Sequence, residues 1–250
     1  LAAAAGAARL QVRRKPRISV FAIGDELVAP GRAPAPAQIF DSAGFGAAAL
    51  AEAWGALAKR RPLLSDDPDR ITSAVGDAIE HSDAIVMIGG ASVGLHDHAR
   101  GALQALGFDG RFTSVAVKPG KPTWFGYCRD RPVLGLPGNP ASALVCARLF
   151  LCPLIEGMLG RNGQDPLMTH TAFVAESIHG GGGREEYLRA AVTQRRNGLL
   201  CLKQAGDQDS SLTSSLAASN ALIQRPAHAR AAAAGDAVAF LYWLRRDAGA

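Results

Sequence analysis

The sequence predicts an α/β sheet with helices on both faces, followed by a small all-β domain. Three observations carry that prediction. Short continuous apolar runs alternate with helix-forming stretches from residue 18 to about residue 160, the pattern of strands buried on both faces of a parallel sheet. A turn-rich segment, GRNGQDP at 160–166, then interrupts the chain. Beyond it, short apolar runs are separated by glycine turns and no strong helix is visible.

Each element has its own signal. ISVFAI at 18–23 is a buried-strand run ending in Gly24. The alanine-rich residues 42–54 form a helix stopped by Gly55. A strand covers 58–64, and Ser65-Asp66-Asp67-Pro68 caps a helix that runs to about Glu80. AIVMI at 84–88 is the next strand and ends abruptly in Gly89-Gly90. A short helix covers 98–106, and three further strands are expected at 114–117, 123–127 and 133–136. Pro137-Gly138-Asn139-Pro140 starts a long apolar helix to Leu159. In the second part, strands fall at 171–177, 187–194, 199–203, 222–224 and 237–243. The expected division is a leading segment 1–16, an α/β domain over 17–160 and a β domain over 167–245. The leading segment begins with Leu1 and reads as a linker left from an upstream region.

Composition excludes several classes. With 48% hydrophobic and 20% charged residues, the 250-residue chain can bury a core and is not disordered. Its 27 basic and 22 acidic residues leave a net charge of +5. The clusters Arg13-Arg14-Lys15-Pro16-Arg17, Arg60-Arg61 and Arg245-Arg246 carry no interleaved aromatics for base stacking, so they read as solvated surface and not as a nucleic-acid interface. No run of eighteen uncharged apolar residues exists, because Arg148 interrupts the longest candidate, 141–154; this argues against a membrane span. Cys128, Cys146, Cys152 and Cys201 lie apart without a CxxC pair, which fits neither a zinc site nor a disulfide scaffold and suits a reducing cytosol.

Ligands of open α/β sheets bind beyond the carboxyl ends of the strands. Those ends hold Gly24-Asp25-Glu26-Leu27, Asp66-Asp67, Gly89-Gly90-Ala91-Ser92-Val93-Gly94 with Asp97, Lys118-Pro119-Gly120-Lys121-Pro122, and Leu136-Pro137-Gly138-Asn139-Pro140. Two of only five lysines thus sit three apart in a proline-braced loop. Taken singly, GDEL is a turn, Asp66-Asp67 a helix cap and the lysines surface charges. GGASVG matches neither GxGxxG nor GxxxxGK[ST], and His96-Asp97-His98 lacks a third zinc ligand. The glycines at 180–183 with Arg184 read as a hairpin loop before an anion cradle, and Cys146 and Cys152 as core residues. Together, acids beside cations and glycine amides are what a magnesium-bridged phosphate ester requires.

With GDEL at 24–27, GGASVG and Asp97, KPGKP at 118–122 and LPGNP at 136–140 in this order, the sequence resembles the molybdopterin molybdenumtransferases, the MoeA-like proteins that include the gephyrin E domain. The resemblance spans nearly all of residues 9–245. It implies a molybdopterin-binding α/β domain, a barrel-like C-terminal domain, and insertion of molybdate into adenylylated molybdopterin with release of AMP, dependent on Mg2+. Carried over by motif, Glu26, Asp66 and Asp97 match functional acids, with Glu26 and Asp97 on the magnesium. Lys118 and Lys121, beside Pro122, match anion-binding lysines. Gly89, Gly90, Ser92, Gly94, Gly138 and Asn139 line the cradle, and Ser142 matches a ligand-contacting serine. Arg184 and Ser210 match positions that help to hold molybdate.

Departures from the family pattern are Ala43 in Asp41-Ser42-Ala43, where Asp-Ser-Asn is usual, Ser114 for a lysine, His98 for a tyrosine, and Asp209 for a glycine. A carboxylate at Asp209 aimed at the oxyanion would repel it. The resemblance further implies a cytoplasmic homodimer in the full-length protein, small anionic substrates, and contacts with other cofactor-biosynthesis enzymes. It also implies two N-terminal domains that these residues lack. Two alternatives stand beside it. A same-fold enzyme that adenylylates molybdopterin from ATP is opposed by KPGKP and the β domain. A non-catalytic scaffold, as in gephyrin's receptor clustering, is opposed by the retained acids and lysines.

Overall fold

The first apolar run folds as β1 (Arg17–Ile23), which alternates its side chains between two cores: Ile18 and Val20 face one, Phe21 and Ile23 the other. The computed structural model describes residues 1–90, 98–161 and 167–244. After β1 come a two-residue parallel pair, β2 (Leu27–Val28) with β3 (Ile39–Phe40), then α1 (Ala43–Ala53), β4 (Leu57–Arg60), α2 (Pro68–Ile79) and β5 (Ala84–Gly89). A short α3 (His98–Ala102) tightens into a 3-10 turn at Leu103–Leu106. β6 (Asp109–Phe112), β7 (Val117–Lys118), β8 (Trp124–Cys128) and β9 (Arg131–Leu136) follow. The long apolar helix is α4 (Pro140–Cys146), continued through a π turn at Ala147–Leu151 into α5 (Cys152–Met158).

The large sheet has the order β4-β1-β5-β9-β8-β6. Its first four strands are parallel, while β8 and β6 run antiparallel to their neighbours. Helices cover both faces as expected. The antiparallel edge was not legible, because β8 and β9 turn through Arg129 and Asp130, both left-handed at φ 48° and 62°. A two-residue hairpin loop requires that backbone, but usually advertises it with Asn-Gly. One core packs α1 and the long helix on the sheet through Ala47, Ala51, Cys146 and Ile155. The opposite core packs Ile71 and Val75 of α2 with Leu103 on Phe21, Ile85 and Met87. Asp67 caps α2, its carboxylate accepting from Asp69 N (2.9 Å) and Arg70 N (3.4 Å), with Pro68 in the first turn.

By length and composition the helix Pro140–Met158 could cross a membrane. Here it is a core helix. Arg148, the charge that interrupts its apolar run, is itself buried: Nε donates to Tyr242 O (2.8 Å) and the guanidinium lies over the Trp54 ring at 4.5 Å. The basic segment before β1 is engaged as well. Arg14 forks onto Asp83 at 2.5 and 2.6 Å, and the Arg17 N–H donates to the same carboxylate, holding it down at about 2.

The second sheet is a closed barrel of β10 (His170–Val174), β14 (Ala237–Tyr242), β13 (Ala221–Arg225), β11 (Glu185–Gln194) and β12 (Leu200–Gln204), closed because β12 pairs with both β11 and β10. A single helical turn, α6 (Thr213–Ala217), sits between β12 and β13. Ala190, Val192, Leu202, Ile223 and Phe240 fill the interior. Two expectations need correction. The strand read at 114–117 is not part of the large sheet: only Val117 and Lys118 are extended, and they pair in parallel with Glu185 and Glu186 of the barrel. The glycines at 180–183 are not a hairpin loop, since β10 and β11 are not neighbours. They lie along the segment before β14, with Gly181 N donating to Ala229 O (2.8 Å) and His228 N to Gly182 O (2.7 Å). A further apolar cluster joins the helix to the barrel through Val145, Leu149, Tyr187, Leu222 and Leu241.

Candidate functional site

Strand direction places the motifs on one edge. The carboxyl ends of β4, β1, β5 and β9 lie together because those strands are parallel. β8 runs the other way, with Trp124 opposite Gly135, so the KPGKP loop leading into its start reaches the same edge. Among these loops is a small cleft lined by Glu26, Asp41, Ser42, Gly89 and Gly138. Gly89 has φ +86°, and a Cβ there would overlap the Ile23 carbonyl oxygen. Gly138 comes so close that its own Cβ would lie 3.5 Å from Gly89 Cα. The β5 and β9 loops therefore approach each other closely at this edge, and Gly89 has no room for a side chain against β1.

The acids are only partly gathered. Glu26 is exposed at the cleft mouth, its carboxylate folded back over Gly24. Because Asp67 provides the α2 cap, Asp66 is available to link the loops after β1 and β4. Asp25 N donates to Asp66 Oδ2 (3.4 Å) and Asp66 N to Asp25 Oδ1 (3.3 Å). Asp97, Ser92 and Gly94 lie outside the described residues, as does His96. Among the described residues no three His, Cys, Asp or Glu side chains come together as a metal site.

Lys118 and Lys121 differ sharply in surroundings. Lys118 Nζ is 3.0 Å from Glu186 Oε1, on a carboxylate only 13% exposed. Arg184 donates from Nη1 to Val117 O (3.2 Å), and Glu185 N to Ala116 O (3.1 Å), so the barrel grips the chain just before the loop. Lys121 is exposed and has no hydrogen bond or ion pair from its side chain among the described residues, although its carbonyl accepts from Val115 N (3.0 Å). Pro122 is half-buried beside it. Lys118–Pro119 is a cis peptide. Beneath the loop, Gly120 (φ +123°) presses on Cys146, whose thiol is pushed up to about 12 by burial.

The LPGNP loop is bound to the barrel directly. Asn139 Nδ2 donates to Ser210 Oγ (2.8 Å), and Ala141 N, in the first turn of α4, donates to Ser210 O (3.0 Å). Ser142 is buried one residue further on. Ser210 is held by a loop built on Arg189, which is 2% exposed and donates to the carbonyls of Asp209 (3.0 Å) and Asp207 (3.2 Å). Gln208 completes it, accepting from Arg189 N (2.9 Å) and donating to Ala205 O (2.8 Å). Asp209 is engaged within this loop. Its carboxylate accepts from Ser211 N (2.8 Å) and Ser211 Oγ (2.6 Å), which hold it below the usual carboxylate range.

Residues 19–157 match the family described as a probable molybdopterin binding domain, and residues 171–243 match the MoeA C-terminal region, domain IV. This chain belongs to the MoeA-like molybdopterin-binding family. Among the relatives of the MoeA-like chain, a molybdopterin molybdenumtransferase of Nostoc sp. is 34% identical over 229 residues, covering 90% of this chain and 52% of the relative. Another of that name from Bacillus subtilis is 31% identical, covering 96% and 56%. A molybdopterin biosynthesis moea protein from Pyrococcus horikosii has the same fold, with TM-score 0.78 at 23% identity over 93% of this chain and 55% of that one. The MoeA-like chain thus spans about half the length of the curated relatives it matches.

Three residues at the site were not singled out from sequence as site residues. Asp41 is a carboxylate only 5% exposed on the cleft wall, accepting from Gly44 N (2.7 Å). Glu186 holds Lys118, and Arg189 builds the Ser210 loop. The available signal was the period of β11: Arg189 falls out of phase with Leu188, Ala190 and Val192, which face the barrel interior, while Glu186 falls in phase with them at the strand's start.

Proposed function

We propose that this chain carries the site at which molybdate is inserted into adenylylated molybdopterin with release of AMP. The observation that carries the reading is the direct bond between Asn139, which the resemblance places in the cradle, and Ser210, which it places beside molybdate. It joins the cradle loop of the sheet to the oxyanion-contacting loop of the barrel. On this reading the pterin and its phosphates lie along the cleft of Glu26, Gly89 and Gly138, and Gly90 and Ser142 also contact the substrate. The oxyanion sits toward Lys121 and Pro122. Lys121 supplies a positive charge that no carboxylate among the described residues pairs with, and Arg184 and Ser210 flank it from the barrel. Water attacks the phosphorus and the phosphoanhydride P–O bond breaks, leaving a phosphate monoester on the pterin and AMP as the other product, with the charge on the departing oxygen offset by the cations and N–H groups around it. Rate acceleration then comes mainly from positioning and charge neutralisation.

Magnesium fits this donor set in kind. Glu26, Asp66 and Asp97 offer carboxylate oxygens, and a hard cation commonly takes one or two of these and fills the rest with phosphate oxygens and water. When bound it would offset charge on the anhydride; Glu26 and Asp97 would hold it, and Asp66 would orient the loop through Asp25. The same reading makes the full-length protein a cytoplasmic homodimer acting on small anionic substrates in contact with other cofactor-biosynthesis enzymes. Supporting the compartment, the four cysteines are free and buried.

The test is AMP release from adenylylated molybdopterin in the presence of molybdate, with Glu26→Gln and Lys121→Ala beside the parent chain. Each substitution is expected to cost at least tenfold in rate, the scale of losing about 1.4 kcal/mol or more of charged contact. Undiminished AMP release from both variants would refute the assignment.

A further inference from the structure

The two lysines of the KPGKP loop look equivalent in sequence and are not equivalent in the fold. Lys118 ends β7, which lies in parallel register on β11 so that Lys118 stands beside Glu186. The Nζ to Oε1 distance is 3.0 Å, with the carboxylate 13% exposed and the ammonium 57% exposed. The acid is therefore the fixed partner, seated in the barrel wall, and the lysine is the flexible one that reaches to it. Glu185, the other acid of this pair, is turned elsewhere: it accepts from Tyr187 Oη (3.1 Å) and from Gln224. Around the loop this leaves Lys118 paired, Arg184 directed in part to Val117 O, and Lys121 without a counter-charge among the described residues.

We propose that Glu186 is a charge-setting residue of the anion site, resting on the reading above: its carboxylate occupies Lys118 in place of an oxyanion, so that the anion is held chiefly through Lys121. An incoming oxyanion and Glu186 compete for one ammonium. A carboxylate near an anion site lowers affinity for all oxyanions, and most for those of highest charge, because the repulsion scales with the product of charges. Glu186 thus restrains tight, unproductive capture of phosphate or molybdate, and it ties the oxyanion affinity of the sheet loop to the docking of the barrel. As a residue acting through Lys118 and through charge, it is a positioning residue and makes no contact with substrate.

The experiment is a calorimetric titration of the 250-residue chain with molybdate and, separately, with inorganic phosphate at fixed ionic strength. The proteins are the parent, Glu186→Gln, Lys118→Ala, Lys121→Ala and the Glu186→Gln/Lys118→Ala double variant, each checked for parental circular dichroism. Glu186→Gln keeps the shape and one hydrogen-bond acceptor while removing the charge. It is expected to bind molybdate about three- to tenfold more tightly than the parent, the scale of releasing one partly exposed ion pair. Most of that gain should vanish when the double variant is compared with Lys118→Ala, since the released ammonium is its main source and relief of repulsion its smaller part. Lys121→Ala should weaken binding about tenfold or more, and several-fold more than Lys118→Ala does. Weaker binding by Glu186→Gln, or equal losses from the two lysine variants, overturns this proposal while leaving the anion-site reading standing. Absence of molybdate and phosphate binding by the folded parent overturns both.

Discussion

Substituting Gly120 by alanine tests the packing beneath the KPGKP loop. Gly120 sits at φ +123°, where an L side chain is strained, and a Cβ built there falls on the Sγ of Cys146. Cys146 lies in α4 with no exposed surface, among residues that pack on the sheet, so it cannot swing aside without disturbing that core. Backbone strain of about 1–2 kcal/mol and overpacking of about 1–3 kcal/mol put the expected cost of Gly120→Ala at about 3 kcal/mol. Cys146→Ala alone removes one sulfur from a filled space and should cost about 1 kcal/mol. In the double variant the missing sulfur makes room for the new methyl, so only the backbone strain and a small packing loss remain. The pair should then be about 1–2 kcal/mol more stable than additivity predicts. Urea unfolding followed by tryptophan fluorescence would read this, because Trp124 lies four residues on and is 1% exposed. Strict additivity of the two substitutions would refute the contact as the source of the cost.

Three further outcomes are expected. Asp83, held at about 2 against an ordinary 3.8, contributes stability that is fully present above about pH 4 and is lost as pH falls through 2. With Arg14 largely exposed and solvent-screened, that contribution is about 1 kcal/mol, and acid unfolding of Asp83→Asn should lack that part of the pH dependence. Burial raises the thiols of Cys128 and Cys146 to about 11 and 12, so an aromatic disulfide reagent at pH 8 should modify them only at the rate of unfolding; immediate reaction of either would contradict the packing. Arg189→Met should destabilise the barrel by about 2–4 kcal/mol and weaken molybdate binding together. Removing a buried guanidinium orphans the Asp207 and Asp209 carbonyls and frees the loop that carries Ser210, and thermal unfolding with parallel titration would show both.

Local chemistry made much of the protein legible before any coordinates. Short continuous apolar runs such as ISVFAI and AIVMI, each ended by glycine and alternating with helix-forming stretches, read as strands buried on both faces, so the α/β layer followed from the pattern along the chain. The glycine and proline motifs marked which loops matter, because positive φ and rigid turns are properties of single residues: Gly89 and Gly120 are where the backbone needs them. The MoeA-like membership followed from those motifs. Tertiary structure decided how they combine. Strand direction is a pairing property, so the antiparallel β8 and the placement of its leading loop on the common edge depended on a hairpin through Arg129 and Asp130 with no glycine to announce it. The fate of Lys118 depended on a partner sixty-eight residues away. That ion pair forms only because β7 leaves the sheet to which its sequence position points and pairs with β11 of the barrel. Likewise Asp209 looked like an intruding charge until Ser211 and the Arg189 loop engaged it. A residue's type limits what it can bind, but the charge it presents is fixed by neighbours that only the folded chain brings within reach.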